Sequence, residues 1–258
     1  MKRAGSLLVA FSGGVDSAVV AALAFEALGK NALAVTVDSS TLPRAELRDA
    51  IRLGKRIGIR HLVVKHDELS IPEFRRNPPD RCYLCRRALA GVLGGIAERE
   101  GMARIADGAT ASDLGEHRPG IRAATEAGVW HPLMEAGAMK SDVRAMAKLQ
   151  GLPVHDRPSS ACLSSRIPYG EEITPEKLER IEKAEAFLKK QGFGQLRVRA
   201  HGHIARIEVE PKALPLLLRR ATHEKVVRKL RALGFTYITV DLQGYRSGSL
   251  DEVLGNSR

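Results

Sequence analysis

The sequence predicts an α/β protein, a doubly wound parallel sheet followed by a smaller α+β region, on three observations. Short apolar runs alternate with helix-forming stretches through the N-terminal part of the chain, the rhythm of parallel strands joined by crossover helices. A glycine-rich turn, Ser12-Gly13-Gly14, stands between the first strand and the first helix. Beyond Gly170 the pattern changes to a long helix, two strands, another helix and a last strand.

Taken in order, residues 7–11 are uniformly apolar, as a central parallel strand covered on both faces should be. Helix formers fill 16–28 and stop at Gly29, a residue suited to a C-terminal cap. A strand at 32–37, a helix at 47–57, a strand at 61–65, a helix at 84–99 and a strand at 103–106 continue the alternation. Residues 112–137 are rich in glycine, proline and charge and read as loops. A helix at 141–149 closes at Gly151 and Pro153, and 156–170 read as loop. Thr174 as N-cap, with Pro175 at the first helical position, opens a helix over 175–191. Strands at 196–199 and 205–209, a helix at 214–233 broken near Ala221-Thr222, and a strand at 237–242 follow. The boundary falls at Gly170, which gives a nucleotide-binding region over 1–170 and an α+β region for substrate binding or oligomerisation over 171–258.

The 258 residues carry 41 Lys and Arg against 30 Asp and Glu, a formal net charge of +11. That excess favours a polyanionic ligand: a nucleotide, a phosphorylated metabolite or nucleic acid. From Glu171 onward there are 17 basic and 12 acidic residues, so the charge is no basic tail. Aromatic residues are only 4%, which argues against a stacking platform for single strands. No apolar stretch is long enough to span a bilayer and no leader segment is visible, so the reading is cytoplasmic, with no membrane partner. Three cysteines, an odd number, exclude a closed disulfide framework and point to a reducing compartment.

Ser12-Gly13-Gly14-Val15-Asp16-Ser17 carries the strongest chemical signal. Its glycines let the backbone turn sharply and approach a ligand. The helix that follows offers unbonded N–H groups and the positive end of its dipole. No lysine lies in the loop, so it is not a Walker sequence. The segment resembles the PP-loop of the N-type ATP pyrophosphatases. That resemblance implies that ATP is gripped by its pyrophosphate end while an acceptor oxygen attacks the α-phosphate. Ser12, Gly13, Gly14 and Ser17 are then ATP-binding residues. The Asp16 carboxylate suits a magnesium ion, or simply a helix start. Asp38, at the end of the second strand, stands where adenine and ribose would lie, or serves as a turn residue. Asp107-Gly108-Ala109-Thr110 follows the fourth strand at the carboxyl edge of the sheet, where such folds bind ligands. Related enzymes read Asp-Gly-Thr-Asn there, and Ala109 and Thr110 depart from it.

Cys82 and Cys85 form a Cys-x-x-Cys pair flanked by Arg81, Arg86 and Arg87, and Cys162 lies just before Arg166. The residues admit a structural zinc site completed by a histidine, a redox pair, a three-thiolate iron–sulfur site, or inert thiols. The neighbouring guanidiniums lower thiolate pKa values and weigh against the last. Arg197 and Arg199 alternate on a strand, so both face one side and suit a phosphate or carboxylate. Arg206 and Glu208 have the same spacing and could instead make a cross-strand ion pair. Lys140, before a helix, is either a phosphate contact or a solvated lysine. His201-Gly202-His203 reads as a turn.

The PP-loop, Asn77-Pro78-Pro79-Asp80-Arg81-Cys82, Pro158-Ser159-Ser160-Ala161-Cys162-Leu163, Arg166-Ile167-Pro168-Tyr169-Gly170 and Gly244-Tyr245-Arg246 together resemble the LarE family over nearly the whole chain. Members are ATP-dependent sulfur transferases of nickel-pincer nucleotide biosynthesis. The resemblance implies adenylylation of a carboxylate on a pyridinium dicarboxylate mononucleotide, then displacement of AMP by sulfur. In one branch the cysteine matching Cys162 surrenders its sulfur. In the other, three cysteines hold a 4Fe-4S cluster that delivers it, and the presence of Cys82 and Cys85 favours this branch. The implied site comprises Cys162, Ser165 and Arg166 for catalysis, Arg197, Arg199 and Arg206 for substrate, and Cys82, Cys85, Cys162 and Asp16 as metal ligands. ATP, Mg2+ and the cluster are the implied cofactors, a small nucleotide the partner, and a homo-oligomer the assembly. A tRNA thiolase and an ammonia-using PP-loop ligase are the alternatives; the charge suits the former, and the latter would need no cysteine.

Overall fold

The computed structural model describes residues 1–114, 118–158 and 160–255; Ser159 of the Cys162 segment lies outside the described residues. The strands are β1 (Leu7–Ala10), β2 (Ala32–Asp38), β3 (Arg60–Lys65), β4 (Arg104–Ala106), β5 (Leu196–His201), β6 (Ile204–Val209) and β7 (Tyr237–Val240). The helices are α1 (Val15–Leu28), α2 (Arg44–Ile57), α3 (Pro72–Arg75), α4 (Arg81–Arg99), α5 (Pro119–Glu126), α6 (Pro132–Glu135), α7 (Lys140–Leu149), α8 (Pro175–Lys190), α9 (Leu214–Leu218), α10 (Arg220–Ala232) and α11 (Glu252–Gly255). They divide into two compact units, Met1–Glu68 with Asp80–Ser160, and Leu69–Pro79 with Ala161–Arg258.

The first unit holds a wholly parallel sheet in the order β3-β2-β1-β4. Alternation along β1 sends Leu7 and Val9 into one core with α1, α2 and α7, through Ala18, Val19, Ala50, Leu53, Val143 and Ala147. Leu8 goes to the other face, with Leu33, Val35 and the α4 residues Leu93, Ile96 and Ala97. Helices thus cover both faces, which is why β1 has no polar side. The chain runs outward from β1 through β2 to β3, then returns to place β4 on the other flank of β1. The carboxyl ends of β1 and β4 therefore flank the switch point of the sheet, the crevice in which such folds bind ligands.

In the second unit β5 pairs antiparallel with β6, and β6 parallel with β7. α8 packs Leu178, Ile181, Ala184 and Leu188 inward, and its Thr174 cap accepts the Lys177 N–H at 3.3 Å. Residues 69–79 and 161–170 both pack in this unit, whereas the sequence boundary falls at Gly170. Asn77 explains the grouping. Fully buried at φ +57°, it donates from its amide to the Ile167 and Pro168 carbonyls, at 3.1 and 2.7 Å, and its own carbonyl accepts the Gly170 N–H. Asparagine is among the few non-glycine residues that tolerate this conformation.

Three expectations about elements change. The 112–137 stretch read as loops contains α5 and α6, each started by a proline, Pro119 and Pro132, that presets φ. α2 and α4 begin earlier than expected, at Arg44 and Arg81, because polar first turns carry no apolar periodicity. The break in the late helix falls at Arg219, extended at φ −61° and ψ 134°, rather than at Ala221-Thr222.

Candidate active site

In the first unit, Gly13 takes φ +74°, and a Cβ there would lie 2.8 Å from the Ala50 Cβ, so only glycine makes the turn after β1. The Ser12 and Ser17 hydroxyls lie 3.1 Å apart, Ser17 donates to the Gly14 carbonyl at 3.2 Å, and the Ser12 Oγ accepts the Gly14 N–H at 3.3 Å. These short bonds brace the loop from within, at the N-terminus of the long helix α1. Loop and helix end form a pre-organised anion cradle.

Two side chains complete this edge. Asp16, in the first turn of α1, accepts from the Lys140 ammonium at the start of α7 through Oδ2. Its Oδ1 is buried and, among the described residues, has no hydrogen-bond partner. A hard carboxylate oxygen left without a donor fits a magnesium ion. Gly108 follows β4, and a Cβ on it would stand 2.6 Å from the Ser17 nitrogen. The loop after β4 and the first turn of α1 are therefore in close backbone contact, and that contact requires glycine.

Asp38 and Asp107, both expected to face ATP, are held by protein groups. Asp38 is paired with Arg44, whose second amino group donates to the Ser39 and Leu42 carbonyls at 2.6 and 2.8 Å. It organises the turn after β2, where Asp38, Ser39, Ser40, Arg44, Lys65, His66 and Asp67 line an open pocket of about 460 Å³. Asp107 is buried, with Oδ1 2.7 Å from His131 Nδ1 and 3.1 Å from the Ala109 nitrogen. Burial pushes its carboxyl up. The His131 hydrogen bond, the Arg86 and His131 charges and the Ala109 N–H outweigh that and hold it below its ordinary value.

Cys82 and Cys85 lie near the start of α4, three residues apart and so on one face. Cys82 is exposed and Cys85 half-buried.

In the second unit Cys162 is exposed, its Sγ 2.9 Å from the Ser164 Oγ, at the mouth of a short 3-10 turn, Leu163–Arg166. Its carbonyl accepts from the Ser165 N–H (3.1 Å), the Ser165 hydroxyl (2.8 Å) and Arg166 (2.9 Å). The backbone is thus fixed while the thiol faces out. Arg166 is 2% exposed and makes a two-pronged bond to Glu185, at 2.9 and 3.0 Å. Its guanidinium therefore serves to position the Cys162 turn. Arg199 makes the same fork to Glu208 across β5 and β6, at 3.0 and 2.9 Å, and also donates to the Ser165 carbonyl and the Ser249 hydroxyl. The cross-strand ion pair thus joins Arg199 to Glu208; Arg206, 3.0 Å from the same carboxylate, reaches it along its own strand.

Arg197 is different. It is buried, stacks over Tyr245 at 5.1 Å, donates to the Leu196 carbonyl and, among the described residues, has no carboxylate at salt-bridge distance. Burial, then the Arg166 charge, draws its guanidinium below the usual value. Three buried guanidiniums (Arg166, Arg197, Arg199) face two buried carboxylates (Glu185, Glu208), a surplus that an anionic group would offset.

Sequence reading missed Glu185 and His131, and gave Glu208 only Arg206 as a partner, where Arg199 also pairs with it. Glu185 had a signal, a charge inside the apolar stripe of α8; His131 had none. His201-Gly202-His203 is the β5–β6 turn, with Gly202 at φ +55°. Among the described residues no group of three or more His, Cys, Asp or Glu is placed to hold a metal ion, and no helix is long and apolar enough to cross a membrane.

These features have counterparts in known proteins. The NAD synthase family matches residues 2–72, which span β1 to β3. The chain is 43% identical over 247 residues to an uncharacterized protein of Synechocystis sp., covering 96% of this chain and 92% of that one. It is 36% identical over 255 residues to the pyridinium-3,5-bisthiocarboxylic acid mononucleotide synthase of Lactiplantibacillus plantarum, covering 98% and 92%. It is 25% identical over 206 residues to a glutamine-hydrolyzing GMP synthase component of Archaeoglobus fulgidus, covering 72% and 65%. The similarities to the Synechocystis and Lactiplantibacillus proteins run through both units.

Proposed function

This chain belongs to the LarE family of ATP-dependent sulfur transferases with a PP-loop fold, and from that premise we propose that it converts carboxylates of pyridinium-3,5-biscarboxylic acid mononucleotide into thiocarboxylates. The exposed thiol of Cys162, on a turn pinned by Arg166, is the observation that carries the reading beyond ATP binding. The N–H groups of the Ser12–Ser17 loop and the α1 terminus take the triphosphate. Asp16 Oδ1 would hold magnesium, which when bound offsets phosphate charge. A substrate carboxylate oxygen attacks the α-phosphorus, pyrophosphate leaves, and an acyl-adenylate forms. Arg197, with Arg199 and Arg206 beside it, takes the substrate's phosphate or second carboxylate.

Two sulfur routes remain in the reading. In the first, Cys82, Cys85 and Cys162 would hold a 4Fe-4S cluster, which when present supplies a transferable sulfide. In the second, the exposed Cys162 acts alone: its thiolate displaces AMP to give a thioester. A base then removes the Cys162 α-proton and the Cβ–Sγ bond breaks, leaving the thiocarboxylate and dehydroalanine. The cytoplasmic location, the homo-oligomer and the role of 171–258 in substrate binding belong to the same proposal.

The test is purification without oxygen, iron and sulfide analysis, then turnover with the dicarboxylate nucleotide, ATP and magnesium. Bound iron with repeated turnover supports the cluster. Absent iron, with loss of one hydrogen sulfide mass at Cys162, supports the sacrificial route. In either case Cys162→Ser abolishes thiocarboxylate formation while pyrophosphate release persists. No thiocarboxylate from the wild type overturns the substrate assignment.

A further inference from the structure

Asp107 and Gly108 were expected to touch ATP, yet the Asp107 carboxylate is buried in protein contacts. What it does there follows from the groups around it. His131 is 9% exposed, and its place is set by main-chain bonds on either side of Trp130: the Trp130 N–H donates to the Ile105 carbonyl at 2.8 Å, and the Asp107 N–H to the Trp130 carbonyl at 3.1 Å. One ring nitrogen, Nδ1, donates to Asp107 Oδ1 at 2.7 Å; the other, Nε2, meets the Thr125 hydroxyl of α5 at 2.9 Å. The same Asp107 oxygen accepts the Ala109 N–H, closing a tight turn whose middle residue is Gly108. That glycine lies so close to the first turn of α1 that a Cβ would come within 2.6 Å of the Ser17 nitrogen and 2.9 Å of the Asp16 carbonyl carbon. The contacts therefore run without a gap from His131 through Asp107 and Gly108 to the helix end that bears Asp16 and the anion-binding N–H groups.

We propose that His131 is a positioning residue for ATP: by holding Asp107 it sets the Gly108 turn against α1 and so fixes the geometry of the phosphate cradle. The proposal rests on the reading that residues 12–17 bind ATP. Arg86 is the other charge acting on Asp107, and it favours the ionised carboxylate that His131 needs as acceptor. Without His131 a buried carboxylate loses its strongest donor, and the turn is free to shift by a fraction of an ångström, which the close Gly108 contact transmits to the loop.

The two ring nitrogens allow a test that a merely structural histidine would fail. An asparagine amide overlays Nδ1 and reaches Asp107; a glutamine amide overlays Nε2 and reaches Thr125. Titration of the full-length protein with ATP and magnesium is followed by calorimetry, with thermal unfolding in parallel. We expect His131→Ala to weaken ATP binding about tenfold, as loss of one buried charge-assisted hydrogen bond would, His131→Asn to restore most of it and His131→Gln not to. Rescue by glutamine rather than asparagine, or tight binding by both, overturns the proposal. Should His131→Ala fail to fold, the asparagine and glutamine pair decides alone. If the wild type itself binds no ATP, the functional reading fails instead.

Discussion

The two units present their polar groups in opposite ways. In the first, the proposed ATP site is backbone: Gly13 at positive φ, short serine bonds within the loop, the end of α1 and the Gly108 contact. The second has a lattice of buried side chains, two arginine–glutamate forks with Arg197 left over. A backbone site needs residues that stay out of the way, and its determinants are local. A side-chain lattice needs partners brought from far along the chain: Arg166 to Glu185, Arg199 to Ser165, Glu208 and Ser249. The first tolerates little added volume, the second little lost charge.

The contrast breaks most readily at Glu208, which has no exposure and accepts from Arg199, Arg206 and Ser249. Glu208→Ala leaves a buried guanidinium uncompensated and should cost about 3–5 kcal/mol in urea unfolding. Were the loss under about 1 kcal/mol, as for a surface ion pair, the lattice would not be structural. Next comes Gly108→Ala, whose methyl has no room beside the Ser17 nitrogen. It should cost about 1–3 kcal/mol of stability and abolish measurable ATP binding; unaltered binding would show that the β4 loop does not shape the cradle.

The smallest effect is acid sensitivity. The folded Asp107 carboxyl lies below its ordinary value of 3.8. Its contribution to stability is thus complete above that value and fades as pH falls below it. Asp107→Asn should lower stability at neutral pH and remove that part of the acid-induced loss. Parallel pH–stability curves for the two proteins below pH 3.8 would contradict it.

Much of the first unit was legible because its rules are local. Apolar β1, the Gly13 turn and the Asp16 helix start occupy consecutive residues, and the alternation of strand and helix implied the switch point. The cysteines and arginines were found as residue types, but not their surroundings: Asp38, read as an ATP contact or a turn residue, is paired with Arg44, and Asp107, read as an ATP contact, is bonded to His131 and the Ala109 N–H. Each carboxylate's partner, Arg44 or His131, was set by the packing of α2 or by the segment after α5. The early start of α4 was hidden by a polar first turn, yet it puts both Cys82 and Cys85 on one helix face.

By itself, the sequence determined the parallel sheet, the phosphate loop and the three thiols, since backbone conformation and hydrophobic periodicity are written in neighbouring residues. Only the tertiary structure decided which charges are already satisfied. Burial makes an ion pair depend on every group that excludes water from it, and those groups come from segments as distant as Ser165 and Ser249, which meet at Arg199 only when the chain is folded.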